Sequence, residues 1–312
     1  MNTTLGKTGL NVSRIAFGTW ELSGHWGAFD EHEAIAAIRH ARTLGINIFD
    51  TAHSYGWGAA ERILGKALRE DLTSRRDEVV IVTKGGMRIS DAGQPYPDSS
   101  PGMLRAGIEN SLESLGVDHI DLYLVHVPDP NIPYAEVAGF LNEFVDAGTI
   151  RHVGVSNYSP EQMTAFAAGR AVEVVQSPYN LFRRRVESAE LPYARAHDIG
   201  TLAYAPLANG LLSGALTEDT TFEDDWRGFA PAFRGEPYRK TIQVVDRLAT
   251  FAAKELEATV AQLAVAWTLA NPAVDCAIVG TRRAEHIEAA VDAVRLRLTA
   301  DHLAEIDSIV SN

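Results

Sequence analysis

The sequence predicts a (β/α)8 barrel, a TIM barrel carrying an N-terminal β-hairpin and a long loop after its seventh strand. Short β-branched runs alternate with helical periodicity eight times along the 312 residues. The length suits one such domain over residues 1–312, because eight strand–helix units occupy ~250 residues before insertions. The rival, a doubly wound sheet, needs a Gly-rich G-x-G-x-x-G turn after its first strand, and none is present.

Taken in order, residues 3–15 read as a hairpin turning on Gly6 and Gly9. Residues 15–17 form the first barrel strand. Asp30 with Glu33 has the spacing of a helix-capping box, Ala34, Ile38, Ala41 and Leu44 make the inward stripe, and Gly45 ends the helix. The second strand stops at Asp50 and a helix follows over about 59–68. The third runs from Glu78 to Lys84, and Ser100-Pro101 opens a helix with Leu104, Ile108, Leu112 and Leu115 on its buried face. The fourth ends at His126, before a helix over about 134–147, and the fifth covers 150–156, with Ser159, Pro160 and Gln162 starting the next helix. Strands six, seven and eight are placed at 172–176, 201–205 and 277–280, with a helix at 190–197. The gap from Tyr204 to Gly280 is 76 residues. Its Gly- and Pro-rich part, about 211–239, is expected to be a mobile cover over the strand mouths, with helical periodicity resuming near Thr241.

Composition narrows the function classes. With 46% hydrophobic and 22% charged residues the chain is an ordinary globular one. A net charge of −13 argues against a nucleic-acid partner, since that affinity rests on Lys and Arg neutralising phosphates. No apolar run approaches a membrane span and the N-terminus has no signal-peptide core, so a cytoplasmic protein is expected. Cys276 is the only cysteine. It allows neither an intrachain disulfide nor a thiolate-rich metal site. No metal is expected, and the absence of a His-x-His pair or acidic cluster at the first strand argues against a metal-dependent barrel hydrolase.

The chemistry gathers at strand ends. Asp50, Lys84 and His126 close three successive strands, and Tyr55 follows Asp50 in Asp-Thr-Ala-His-Ser-Tyr. In parallel strands the four groups converge. A lysine ammonium beside the phenol is expected to lower its pKa, with Asp50 holding the ammonium in place and His126 donating to a carbonyl oxygen. These groups suit protonating an oxygen that gains negative charge, the acid half of carbonyl reduction. The hydride must then come from a cofactor, because no side chain supplies one.

Phe49-Asp50-Thr-Ala-His-Ser-Tyr55-Gly56, Lys84, and Asp121-Leu-Tyr-Leu-Val-His126 with Pro128-Asp129 resemble the active-site motifs of the aldo-keto reductases. The resemblance runs from the hairpin to the last helix. It implies an NAD(P)H-dependent oxidoreductase on a (β/α)8 barrel acting on a small-molecule carbonyl, with Tyr55 as general acid and Asp50, Lys84 and His126 supporting it. It also implies a second possibility, a cofactor-binding redox-sensing subunit with slow turnover, as in the potassium-channel β-subunits.

The cofactor positions follow from the same resemblance. Ser156, Asn157 and Gln176 match the residues that hold the nicotinamide carboxamide, and Tyr204 matches the aromatic stacked on the ring. Pro206, Leu207, Gly210 and Leu212 match the segment along the pyrophosphate. Gly280, Thr281, Arg282 and His286 match the adenosine-phosphate segment, with Arg282 as a 2′-phosphate ligand favouring NADPH/NADP+ over NADH, which stays possible. The chain departs from the pattern at His286, Ala289 and Ala290, where many relatives carry Arg or Gln and then Glu-Asn, so weaker adenine contacts are expected. Trp20, Trp26 and Trp57 lie in loops that would rim the pocket, as an aromatic wall for the substrate.

Overall fold

The computed structural model describes residues 2–311. The chain opens with an antiparallel hairpin, β1 (Asn2–Thr4) and β2 (Asn11–Ser13). Gly6 supports this turn at φ +48, where an added Cβ would come within 2.2 Å of the Gly200 nitrogen. Eight parallel strands then close on themselves. They are β3 (Ile15–Gly18), β4 (Ile48–Asp50), β5 (Val80–Gly85), β8 (Ile120–Val125), β9 (Ile150–Ser156), β10 (Val174–Pro178), β11 (Gly200–Tyr204) and β12 (Cys276–Gly280). Each pairs with its neighbour in that order, and β12 pairs back to β3. A second hairpin, β6 (Met87–Ile89) with β7 (Pro95–Pro97), projects after β5.

The helices follow the strands as the periodicity requires. α1 (Glu31–Thr43) starts on Asp30, whose side chain accepts the His32 N–H, and the expected box with Glu33 is not formed. The box at α6 (Pro160–Ala167) is complete between Ser159 and Gln162. α2 (Ala59–Ala67), α3 (Arg69–Ser74), α4 (Pro101–Leu115), α5 (Tyr134–Asp146) and α7 (Glu190–Ala196) complete the outer layer up to β11. The long gap is mostly helix: α8 (Gly235–Leu256) begins six residues before Thr241 and α9 (Val260–Ala270) follows it. α10 (Ala284–Ala293) and α11 (Ala300–Ser311) end the chain. No helix among the described residues is long and apolar enough to cross a membrane.

Strand parity sets the interior. Ala16, Ile48, Val80, Val82, Leu122, Leu124, Val174, Leu202, Cys276 and Ile278 pack together inside the barrel, and Leu5 and Val12 of the hairpin join them from the N-terminal end. Their strand neighbours Phe49, Ile81, Tyr123, Val153, Val175 and Ala203 pack outward against the helices. Because side chains alternate along a strand, the next inward position beyond each core residue lies at the C-terminal mouth. Those positions are Asp50, Lys84, His126, Ser156, Gln176, Tyr204 and Gly280.

Candidate active site

At the mouth, Lys84 Nζ donates to Asp50 Oδ1 at 2.7 Å and to the Thr51 carbonyl at 2.8 Å, and both side chains are buried. Gln176 Nε2 donates to the other Asp50 oxygen at 2.7 Å. The carboxylate is thus fixed from the adjacent strand β5 and, across the barrel, from β10. Burial pushes the Asp50 carboxyl up and the Lys84 ammonium down, and their mutual attraction opposes both shifts.

Tyr55 sits in the turn between β4 and α2. Its ring lies edge-on to His126, with centroids 5.7 Å apart, and Lys84 Nζ stands 5.1 Å from its centroid. The expected convergence of the four groups is therefore met, but the expected electrostatics are not. Lys84 directs its hydrogen bonds to Asp50 and Thr51, not to the phenol. The Tyr55 pKa is instead raised well above its ordinary value, first by burial and then by the charges of Asp50, Tyr204 and Glu21. A positive charge already neutralised by a contact carboxylate has little field left for its neighbour.

His126 is held by Ser54, whose Oγ lies 3.2 Å from Nδ1. Burial and the Lys84 charge push its pKa down to about 3, so the imidazole is neutral at physiological pH. Were Ser54 the donor to Nδ1, the ring hydrogen would sit on Nε2. The supporting role of Ser54 is absent from the sequence reading, although the residue stands in the quoted motif. Behind this layer buried Glu61 accepts from Thr83 at 2.6 Å and lies 3.7 Å from His53.

The carboxamide candidates are adjacent. Asn157 Nδ2 donates to Ser156 Oγ and to the His126 carbonyl, while the Tyr204 hydroxyl donates to Asn157 Oδ1 at 2.9 Å. Ser156 and Gln176 are buried, and Asn157 is exposed at φ +64. Beyond Tyr204, the loop bearing Pro206, Leu207, Gly210 and Leu212 has left-handed backbone at Ala205, Ala208, Asn209 and Gly210. Within it the N–H groups of Ala208, Gly210 and Leu212 donate to the carbonyls of Ala205 and Leu207.

Arg282, expected as a 2′-phosphate ligand, lies between two loops. Its guanidinium donates to the carbonyls of Trp26, Gly27 and Ala28, tying the loop after β3 to the loop after β12. Three of its five N–H donors are thereby engaged, which leaves fewer for a phosphate. Thr281 Oγ1 lies 3.3 Å from Nδ1 of His286, which is exposed. The aromatic wall also differs. Trp20 and Trp26 meet edge-on at 5.0 Å and are joined by Trp226 at 5.5 and 5.6 Å, whereas Trp57 packs on His53 at 5.9 Å. Trp226 comes from the expected cover, which folds onto the mouth through two short turns, Trp226–Phe229 and Pro231–Phe233.

A closed parallel barrel with this constellation at its C-terminal mouth defines a (β/α)8-barrel oxidoreductase. The chain belongs to the Aldo/keto reductase family, whose profile matches residues 14–311. It is 39% identical to aldo-keto reductase YhdN of Bacillus subtilis (strain 168), over 99% of this chain and 93% of that protein. It is 32% identical to the L-glyceraldehyde 3-phosphate reductase of Escherichia coli O157:H7, over 98% and 91%. Among solved structures, the glycerol dehydrogenase AKR11B4 from Gluconobacter oxydans superposes with a TM-score of 0.88 at 35% identity, covering 97% of this chain and 92% of that one.

Proposed function

We propose that the protein reduces an aldehyde or ketone reversibly to the alcohol with NADPH, NADH being a possible substitute, and that Tyr55 supplies the proton. The observation that carries this reading is the meeting of Tyr55 with the Asp50–Lys84 pair and His126 at one mouth. The residues fit a dinucleotide by the chemistry of their donor set. Ser156, Asn157 and Gln176 offer both donors and acceptors to a carboxamide, with Tyr204 as the ring's neighbour. Pro206, Leu207, Gly210 and Leu212 take the pyrophosphate. Gly280, Thr281, Arg282 and His286 take the adenosine end.

When bound, the reduced nicotinamide supplies a hydride to the carbonyl carbon. His126, neutral, donates from Nε2 to the carbonyl oxygen and orients it. The Tyr55 hydroxyl then gives its proton to that oxygen. A raised pKa keeps the phenol protonated at neutral pH, so the acid is loaded before each turnover, and an alkoxide is a strong enough base to take the proton. Lys84 serves through its buried ion pair with Asp50, which fixes this side of the site. Trp20, Trp26 and Trp226 wall the mouth and Trp57 flanks it beside His53, so small substrates are held among rings.

The test is NADPH absorbance loss with a panel of carbonyls that includes short hydroxyaldehydes, with NADH in parallel and single-turnover rates beside steady-state ones. Steady turnover supports the reductase. Oxidation of bound cofactor without turnover replaces it with a sensing subunit.

A further inference from the structure

Glu21 lies in the turn Trp20–Leu22 just after β3. The residue is half-buried, yet its Oε2 is sealed from solvent and has no hydrogen-bond partner. Its carboxyl rests on the backbone of Gly280. A Cβ at that glycine would fall 1.9 Å from Oε2 and 2.3 Å from Oε1, so the absence of a side chain there is what admits the carboxyl.

Charges face Glu21 from three other elements. Arg282 after β12 and Arg227 in the turn Trp226–Phe229 both favour the ionised form. Their hydrogen bonds go elsewhere: Arg282 to the carbonyls of residues 26–28, and Arg227 to Asp225 and the Asn209 carbonyl. Tyr55 after β4 lies within reach of the Glu21 charge. Asp225, Arg283, Glu285 and His286 are further titratable groups on these loops. Burial outweighs a backbone hydrogen bond at Glu21 and the two arginines, and pushes the carboxyl up to about 7.

We propose that Glu21 is a further determinant of dinucleotide binding, and that each dinucleotide docked takes up one proton from solvent at this carboxyl. A cofactor phosphate brought to the Gly280–Arg282 loop meets the carboxylate already seated there, and like charges in a dry site repel. Forming an O–H bond at Oε2 removes the repulsion. It also gives the sealed Oε2, an acceptor without a donor, a hydrogen of its own. The inference rests on reading this loop as part of the dinucleotide site.

The experiment is calorimetric titration of the full chain with NADPH and with NADH, in buffers of different ionisation enthalpy, at about pH 6 and about pH 8.5. Proton uptake approaching one per dinucleotide is expected well above neutrality, with affinity falling roughly tenfold per pH unit there. Glu21→Gln keeps the shape and is expected to bind more tightly at high pH with no such uptake, whereas His286→Gln retains it. Binding by the unaltered protein without proton uptake overturns the inference. So does uptake that persists in Glu21→Gln and vanishes in His286→Gln. If neither dinucleotide binds at any pH, the dinucleotide reading itself falls and takes this inference with it.

Discussion

Lys84 Nζ and Asp50 Oδ1 lie 2.7 Å apart, with side chains 0% and 4% exposed, at the ends of adjacent strands. A pair so buried is costly to break from one side, because the survivor is left as an uncompensated charge. Lys84→Met is therefore expected to destabilise the fold by about 3–5 kcal/mol in denaturant unfolding. Adding Asp50→Leu should recover part of that loss. A double variant as unstable as the sum of the singles would contradict the coupling.

Tyr55→Phe removes only the hydroxyl from a ring held against His126 and Lys84. Turnover should drop by a factor of about 100 to 10,000, the range of a positioned acid, with dinucleotide affinity within a factor of a few. Unchanged turnover would assign the proton to another donor.

His126 gives a pH dependence with a definite sign. Its folded pKa, near 3, lies below the ordinary 6.5, so between these values the unfolded chain binds more protons at this site. Stability from the neutral imidazole is present above 6.5 and is lost as pH falls toward 3, by up to about 1.4 kcal/mol per unit. Melting curves of the unaltered protein and His126→Gln should converge on acidification. Parallel curves would refute the assignment.

Trp226 joins Trp20, Trp26 and Phe233, bringing the segment after β11 onto the mouth. Trp226→Ala should cost about 2–3 kcal/mol and speed proteolytic nicking between residues 214 and 225. Nicking at an unaltered rate would show that other contacts seat the segment.

The barrel was legible because its signals are local and repeated. Strand ends at Asp50, Ser156 and Gly280 fall where the sequence puts them, since each is a β-branched run stopping at a polar or turn residue. The hairpin of β6 and β7 was missed because three-residue strands, one of them beginning and ending on proline, carry too little periodicity. The start of α8 at Gly235 was hidden by a Gly and a Pro in its first turn, where both are tolerated. Within the site, residue identities were readable and interactions were not. The meeting of Trp226 with Trp20 spans some two hundred residues of chain. That Lys84 lies 2.7 Å from Asp50 Oδ1 but 5.1 Å from the Tyr55 ring centre, and that Glu21 presses on Gly280, are likewise matters of tertiary placement.

The hairpin at the start of the chain acts as a stopper. Leu5 and Val12, both 0% exposed, fill the barrel's lower end. Whatever reaches Tyr55 therefore cannot arrive through that end of the barrel.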